Sequence, residues 1–168
     1  MAHARPVLLV VDDDDLDVMI VSRALNQIGI VNPVVRKKDG EEALEYLKAC
    51  SGEMPCVILL DLNMPRMDGF EFLCHVKAHP TLKDIPVVIL TTSTSEADMI
   101  RSFKLGALEY VVKTMDSIVF RQSLGCVSHY CSDSSYAAPT ESAADGADQT
   151  KSAVSSGIQA SLPSDNTM

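Results

Sequence analysis

The chain has 168 residues, 46% hydrophobic and 5% aromatic with no Trp, which suits one domain with a modest excess and a core of Val, Ile, Leu and Met. Its net charge of −9 argues against a nucleic-acid partner held on a basic surface, and no run reaches the roughly 18 apolar residues of a membrane span. The opening MAHARPVLLVV meets acid too soon for a signal peptide, and five cysteines without CxxC spacing read as free thiols in a reducing cytoplasm, Cys56 and Cys74 packed as small hydrophobes.

The first element is a buried strand over residues 6–11, PVLLVV. Apolar positions at helical spacing (Leu16, Met19, Ile20, Leu25, Ile28) then predict a helix over 16–28 that stops at Gly29. Residues 33–35 form a short strand, the basic run Arg36-Lys37-Lys38 reads as a solvated turn, and GEEALEYLKAC predicts a helix over 40–50. CVILL, 56–60, is an uninterrupted buried strand, followed by a helix over 68–78 closed before Pro80. A strand over 86–90, a helix over 95–105 ended by Gly106, a strand over 110–112 and a helix over 116–130 complete the series. Five β–α alternations with strands of continuous Val/Ile/Leu imply a parallel sheet covered on both faces, a doubly wound α/β architecture. Its ligand crevice belongs at the carboxyl ends of the strands. A folded domain over 1–131 is expected. Residues 132–168 are Ser/Ala/Asp-rich, carry five acidic residues against one lysine, and predict a disordered tail.

The strand ends carry the chemistry. Strand one runs into Asp12 and Asp13, and strand three into Asp61, so three carboxylates from neighbouring strands meet at one rim. Uncompensated, they would raise one another's pKa. A hard divalent cation relieves this, and all-oxygen ligation suits Mg²⁺. Asp14 and Asp15, together with Asp17, are expected to cap the first helix and favour its positive end. Strand four runs into Thr91 and strand five into Lys113. Metal, ammonium and hydroxyl together are the equipment for stabilising a transferring phosphoryl group. In that chemistry Asp61 attacks phosphorus to form an acyl phosphate, Lys113 pairs with one phosphoryl oxygen and Thr91 binds another.

These motifs resemble the receiver domains of two-component response regulators, including the chemotaxis regulator. The likeness covers about residues 6 to 130 and rests on VVDD (Asp12, Asp13), LLDLNMPRMDGFEFL (Asp61, Met64, Pro65, Asp68, Gly69), LTTS (Thr91) and GALEYVVK (Gly106, Tyr110, Lys113). It implies a flavodoxin-like (βα)5 fold with strand order 2-1-3-4-5. It also implies phosphotransfer from a histidine kinase to Asp61, and a backbone-carbonyl metal ligand from Asn63. A switch would move Thr91 toward the phosphate and turn Tyr110 inward. The protein implied is a cytoplasmic signalling domain, with self-catalysed phosphotransfer and slow autodephosphorylation at most. The loop LNMPRMDG, the RKKDG segment and the LTTS form are also similar to single-domain regulators associated with bacterial phytochrome kinases. Such relatives are often homodimers through the last helices or the face of the fourth helix, fifth strand and fifth helix.

One position departs from that pattern. The family usually has proline after the lysine, with a cis peptide that points the lysine inward, and here Thr114 follows Lys113. A cis bond before a non-proline residue costs about 3 kcal/mol, so either that strain is kept or the loop takes another path. The alternative function is a pseudo-receiver that binds partners without phosphotransfer. A phosphatase of the haloacid-dehalogenase type would need an acid where Asn63 stands, and a flavodoxin-like cofactor binder would set its phosphate against four aspartates. No DNA-binding output module is expected after residue 131.

Overall fold

The computed structural model describes residues 5–131. The expected tail over 132–168 lies outside them. Five strands alternate with five helices: β1 (Leu8–Val11), α1 (Asp15–Gln27), β2 (Val34–Lys37), α2 (Gly40–Ala49), β3 (Val57–Leu60), α3 (Gly69–Ala78), β4 (Val87–Thr91), α4 (Glu96–Lys104), β5 (Glu109–Val112) and α5 (Ser117–Leu124), with a closing 3-10 turn over Gly125–His129. All strand pairs are parallel, in the order β2-β1-β3-β4-β5. This is the doubly wound, flavodoxin-like order the sequence implies. The direction of winding reverses between β1 and β3, so the crevice opens there at the strands' carboxyl ends.

Continuous apolar strands are needed because both sheet faces are covered. Leu9, Val11, Ile58, Leu60, Val87 and Ile89 face one layer with Ala43, Leu47, Phe72, Leu73 and Val76 of α2 and α3. Their neighbours Leu8, Val10, Val57, Leu59, Val88 and Leu90 face the other, with Val21, Leu25, Phe120 and Leu124 of α1 and α5. Alternation along each strand therefore feeds two cores.

Each helix opens on a side-chain cap. Asp14, Asp39, Asp68, Ser95 and Asp116 accept bonds from first-turn N–H groups of α1 to α5 respectively. These bonds satisfy donors that a helix cannot pair internally. Helix α1 ends ahead of Gly29, whose φ of +85° is a left-handed stop that glycine adopts without strain.

Two elements differ from expectation. Strand β2 runs on through Arg36 and Lys37, because the register with β1 continues as Val10–Arg36 and Val11–Lys37 on an edge strand that tolerates charge. The helix expected through residue 130 ends at Leu124. Gly125, a poor helix former, sits at its C-cap, and the chain tightens into the 3-10 turn that buries Val127 and leads to buried Cys131. Cys74, expected to be packed, is exposed on α3.

Candidate functional site

Register brings the candidate residues level. Val11 pairs with Leu60, so Asp12 and Asp61 leave adjacent strands at the same height, and the Asp61 N–H still donates to the Val11 carbonyl at 3.0 Å. Thr91 pairs with Val112, which sets Lys113 one residue further along. Asp12, Asp61 and Thr91 are buried, whereas Asp13 and Asn63 are exposed. One carboxylate oxygen from each of Asp12, Asp13 and Asp61 lies within 4.8 Å of the others. That set offers a hard, all-oxygen donor group on one solvent-facing side, which fits a cation that keeps some of its waters. These residues could hold Mg²⁺.

Lys113 reaches into the same cluster. Its Nζ donates to Asp12 Oδ2 at 2.6 Å and to Asp17 Oδ2 at 2.7 Å, and lies 3.6 Å from Asp61 Oδ2. No cis peptide bond occurs among the described residues, so the alternative left open by Thr114 resolves toward a different loop path that still delivers the lysine. Burial alone would lower the ammonium's pKa. The hydrogen bonds to Asp12 and Asp17 and the charge of Asp61 outweigh it, and the net shift is upward. For Asp61, burial is the largest influence and pushes the carboxyl above its ordinary range; the Lys113 charge opposes this and the Asp12 charge adds to it.

Asp17 is the member that sequence reasoning placed elsewhere. It was expected to serve the positive end of α1, and that end is capped by Asp14, which accepts from Leu16 N and Asp17 N. Asp17 instead turns to a lysine 96 residues away. Arg36 likewise belongs to the site's frame rather than to a solvated turn. Its guanidinium donates to the backbone carbonyls of Asp12 at 3.1 Å and Asp13 at 2.9 Å, and pairs with the Asp15 carboxylate. Neighbouring acids in the sequence thus differ in duty: Asp12 and Asp13 face the rim, Asp14 caps α1, Asp15 pairs with Arg36, and Asp17 shares Lys113 with Asp12.

The remaining candidates surround this centre. The Asn63 N–H lies 3.4 Å from Asp61 Oδ1, curling the loop after β3 around the carboxylate. Thr91 Oγ1 accepts from Ser93 N at 3.3 Å. The Tyr110 hydroxyl donates to the Ser93 carbonyl at 3.1 Å, so Thr91 and Tyr110 meet the same loop from two strands. Beside the acids an open groove of about 630 Å³ is lined by residues including Asp13, Asn63, Met64, Phe70 and Arg101. Gly69 packs against the end of β3: a Cβ there would stand 2.7 Å from Leu62 Cα and closer still to the Asp61 carbonyl, so only glycine lets α3 start this near the strand end.

Residues 8–124 match the response regulator receiver domain. The chain belongs to that family. It is 40% identical over 113 residues to Response regulator Rcp1 of Synechocystis sp., covering 64% of this chain and 76% of that protein. A crystal structure of the phosphorylated cyanobacterial phytochrome response regulator RcpA superimposes with a TM-score of 0.67 at 34% identity, over 76% of this chain and 94% of that one. The Mn²⁺-bound form of Rcp1 gives the same TM-score and identity over 77% and 97%. The receiver domain is a signalling module rather than a conventional enzyme, of the type that partners with histidine kinases. The pseudo-receiver alternative is not favoured, since three carboxylates and a lysine converge on one rim and Thr91 ends the neighbouring strand β4.

Proposed function

We propose that this receiver domain takes a phosphoryl group onto Asp61 from the phosphohistidine of a sensor histidine kinase, and that the modified site changes which partner the domain binds. The observation that carries this reading is buried Asp61 with Lys113 Nζ 3.6 Å away and the Asp12 and Asp13 carboxylates within 4.8 Å. Asp12, Asp13 and Asp61, with the backbone carbonyl of Asn63, are the residues that would hold Mg²⁺. Bound there, the cation supplies charge neutralisation for a phosphoryl group in transfer. Asp61 is the nucleophile: its carboxylate oxygen forms the bond to phosphorus as the bond to the kinase's imidazole nitrogen breaks. Lys113 is already desolvated and loses little freedom in moving to a phosphoryl oxygen. Thr91, at the end of β4, offers a hydroxyl to a second oxygen. Its movement would disturb the Ser93 loop on which the Tyr110 hydroxyl rests, giving the switch a route to the surface.

The phytochrome regulators among the structural relatives support a bacterial phytochrome as the kinase. Exposed Ile100 and Phe103 on α4, Leu108 before β5 and Ile118 on α5 support a homodimer through that face. A cytoplasmic location follows from this role.

Intact-mass spectrometry after incubation with acetyl phosphate tests the chemistry directly. A gain of one phosphoryl group that needs Mg²⁺ and disappears in Asp61→Asn is the expected result. No gain with Mg²⁺, or an equal gain in the variant, overturns the reading.

A further inference from the structure

At the opposite end of β3 from Asp61, two cysteines face each other. Cys56 Sγ and Cys131 Sγ are 2.8 Å apart although 75 residues separate them in the chain. A disulfide bond is about 2.05 Å long, so the sulfurs need to close by less than an ångström to bond. Both ends are fixed by backbone contacts. The Cys56 N–H donates to the Val7 carbonyl at 2.9 Å, extending the β1–β3 ladder. The Cys131 carbonyl accepts from Asn32 Nδ2 at 3.5 Å, and the same amide donates to the Pro6 carbonyl at 2.9 Å. Asn32 is buried, and it ties the chain after the 3-10 turn to the amino-terminal edge of the sheet.

We propose that Cys56 and Cys131 are a redox-modification site, a dithiol that hydrogen peroxide or another hydroperoxide converts to an intramolecular disulfide. The sulfurs have distinct roles. Cys131 is buried, while Cys56 is half-buried and within reach of a small oxidant. The Cys131 hydrogen bond is the largest influence on Cys56 and lowers its thiol pKa, with burial opposing it. Cys56, the more accessible of the two sulfurs, is the one whose thiolate attacks the peroxide oxygen. The O–O bond breaks, water leaves, and Cys56 becomes a sulfenic acid. Cys131 then gives up its proton and attacks the Cys56 sulfur, and hydroxide departs to take that proton as a second water. Two thiols supply two electrons to one peroxide, and two waters and one S–S bond result. The bond would staple the closing 3-10 turn onto β3, far from the acidic rim.

The experiment uses the full chain. Reduced protein is treated with a small excess of hydrogen peroxide, quenched with an alkylating reagent, and analysed by intact-mass and tandem mass spectrometry. The expected product is a monomer 2 Da lighter with three alkylated thiols in place of five. Trypsin should join peptide 49–66 to peptide 122–151, and because these also hold Cys50 and Cys126, fragmentation must locate the bond at Cys56 and Cys131. The oxidised form should melt roughly 5–10 °C higher, as expected for closing a long loop, with phosphoryl uptake unchanged. Cys131→Ser, which lacks the second thiol, should show no 2 Da loss and should stop at a Cys56 sulfenic acid, about 16 Da heavier, with three alkylatable thiols. Five free thiols in the wild type, a bond to Cys50 or Cys126, or a disulfide between two copies each overturns the assignment.

Discussion

Lys113 divides its ammonium between Asp12 and Asp17, and these partners fare differently once a divalent cation occupies the rim. Asp12 is a candidate ligand and its charge would be drawn toward the metal, whereas Asp17, on the first turn of α1, stays available. Asp17 therefore keeps a desolvated lysine beside Asp61 in place of the proline-dependent turn that the chain lacks at Thr114. Asp17→Asn should slow phosphoryl uptake from acetyl phosphate by about tenfold at saturating Mg²⁺, since a hydrogen bond to a charged group contributes roughly 1.5 kcal/mol. Asp17→Glu, which keeps the charge, should recover part of the rate. Equal rates for wild type and Asp17→Asn would show that Asp12 alone positions the lysine. None of this was visible in the sequence, where Asp17 reads as one more acid in a helix's first turn. The pairing depends on a residue 96 positions away, and local patterns carry no trace of it.

At the scale of elements, legibility followed burial. Strands β1, β3 and β4 are apolar on both faces and were plain from their residues; each lies within one or two residues of the expected range. Edge strand β2 and the end of α5 were less so, because register with β1 extends the former and a tertiary berth for Val127 and Cys131 shapes the latter. The start of α3 carries a sharper constraint. Gly69→Ala would force its methyl against the backbone of Asp61 and Leu62, and should destabilise the domain by about 1–3 kcal/mol in urea unfolding. The variant should also lower phosphoryl uptake, because what shifts is the segment holding Asp61. The other end of α3 yields a pH prediction. Lys77 Nζ donates to the carbonyls of Lys83 and Ile85, both at 2.9 Å, and burial lowers its pKa below the ordinary 10.5, with Asp84 opposing. The unfolded chain then holds this proton to higher pH than the folded one. Lys77's contribution to stability is fully present above 10.5 and declines as pH falls through the lower, folded value. Urea midpoints of wild type minus Lys77→Met, taken from pH 8 to 11, should rise with pH; a flat difference would contradict the shift.

For the molecule as a whole, one group of exposed large apolar side chains falls on α4, before β5 and on α5, beside another on α1 and near β2. Phe103 is 45% exposed, Ile100 47%, Leu108 50% and Ile118 59%, a set that one partner could cover. Sedimentation velocity should find a dimer at micromolar concentration, and Phe103→Glu should shift it to monomer without loss of helicity. A monomer at all concentrations would leave this face for a different protein.

The lysine's dual anchorage also bears on how the chain reaches its native state. Asp12 and Asp17 are made early in synthesis, and their counter-charge arrives 101 and 96 residues later, just after the last strand in chain order. Until β5 docks against β4, the half-built rim holds crowded carboxylates and no ammonium. These contacts have the longest sequence separation at the site, and closing so large a loop is slow. The acidic rim is thus a late-assembling part of the fold, and a nascent chain not yet extended to Lys113 depends on solvent cations for the neutralisation that the finished protein carries within itself.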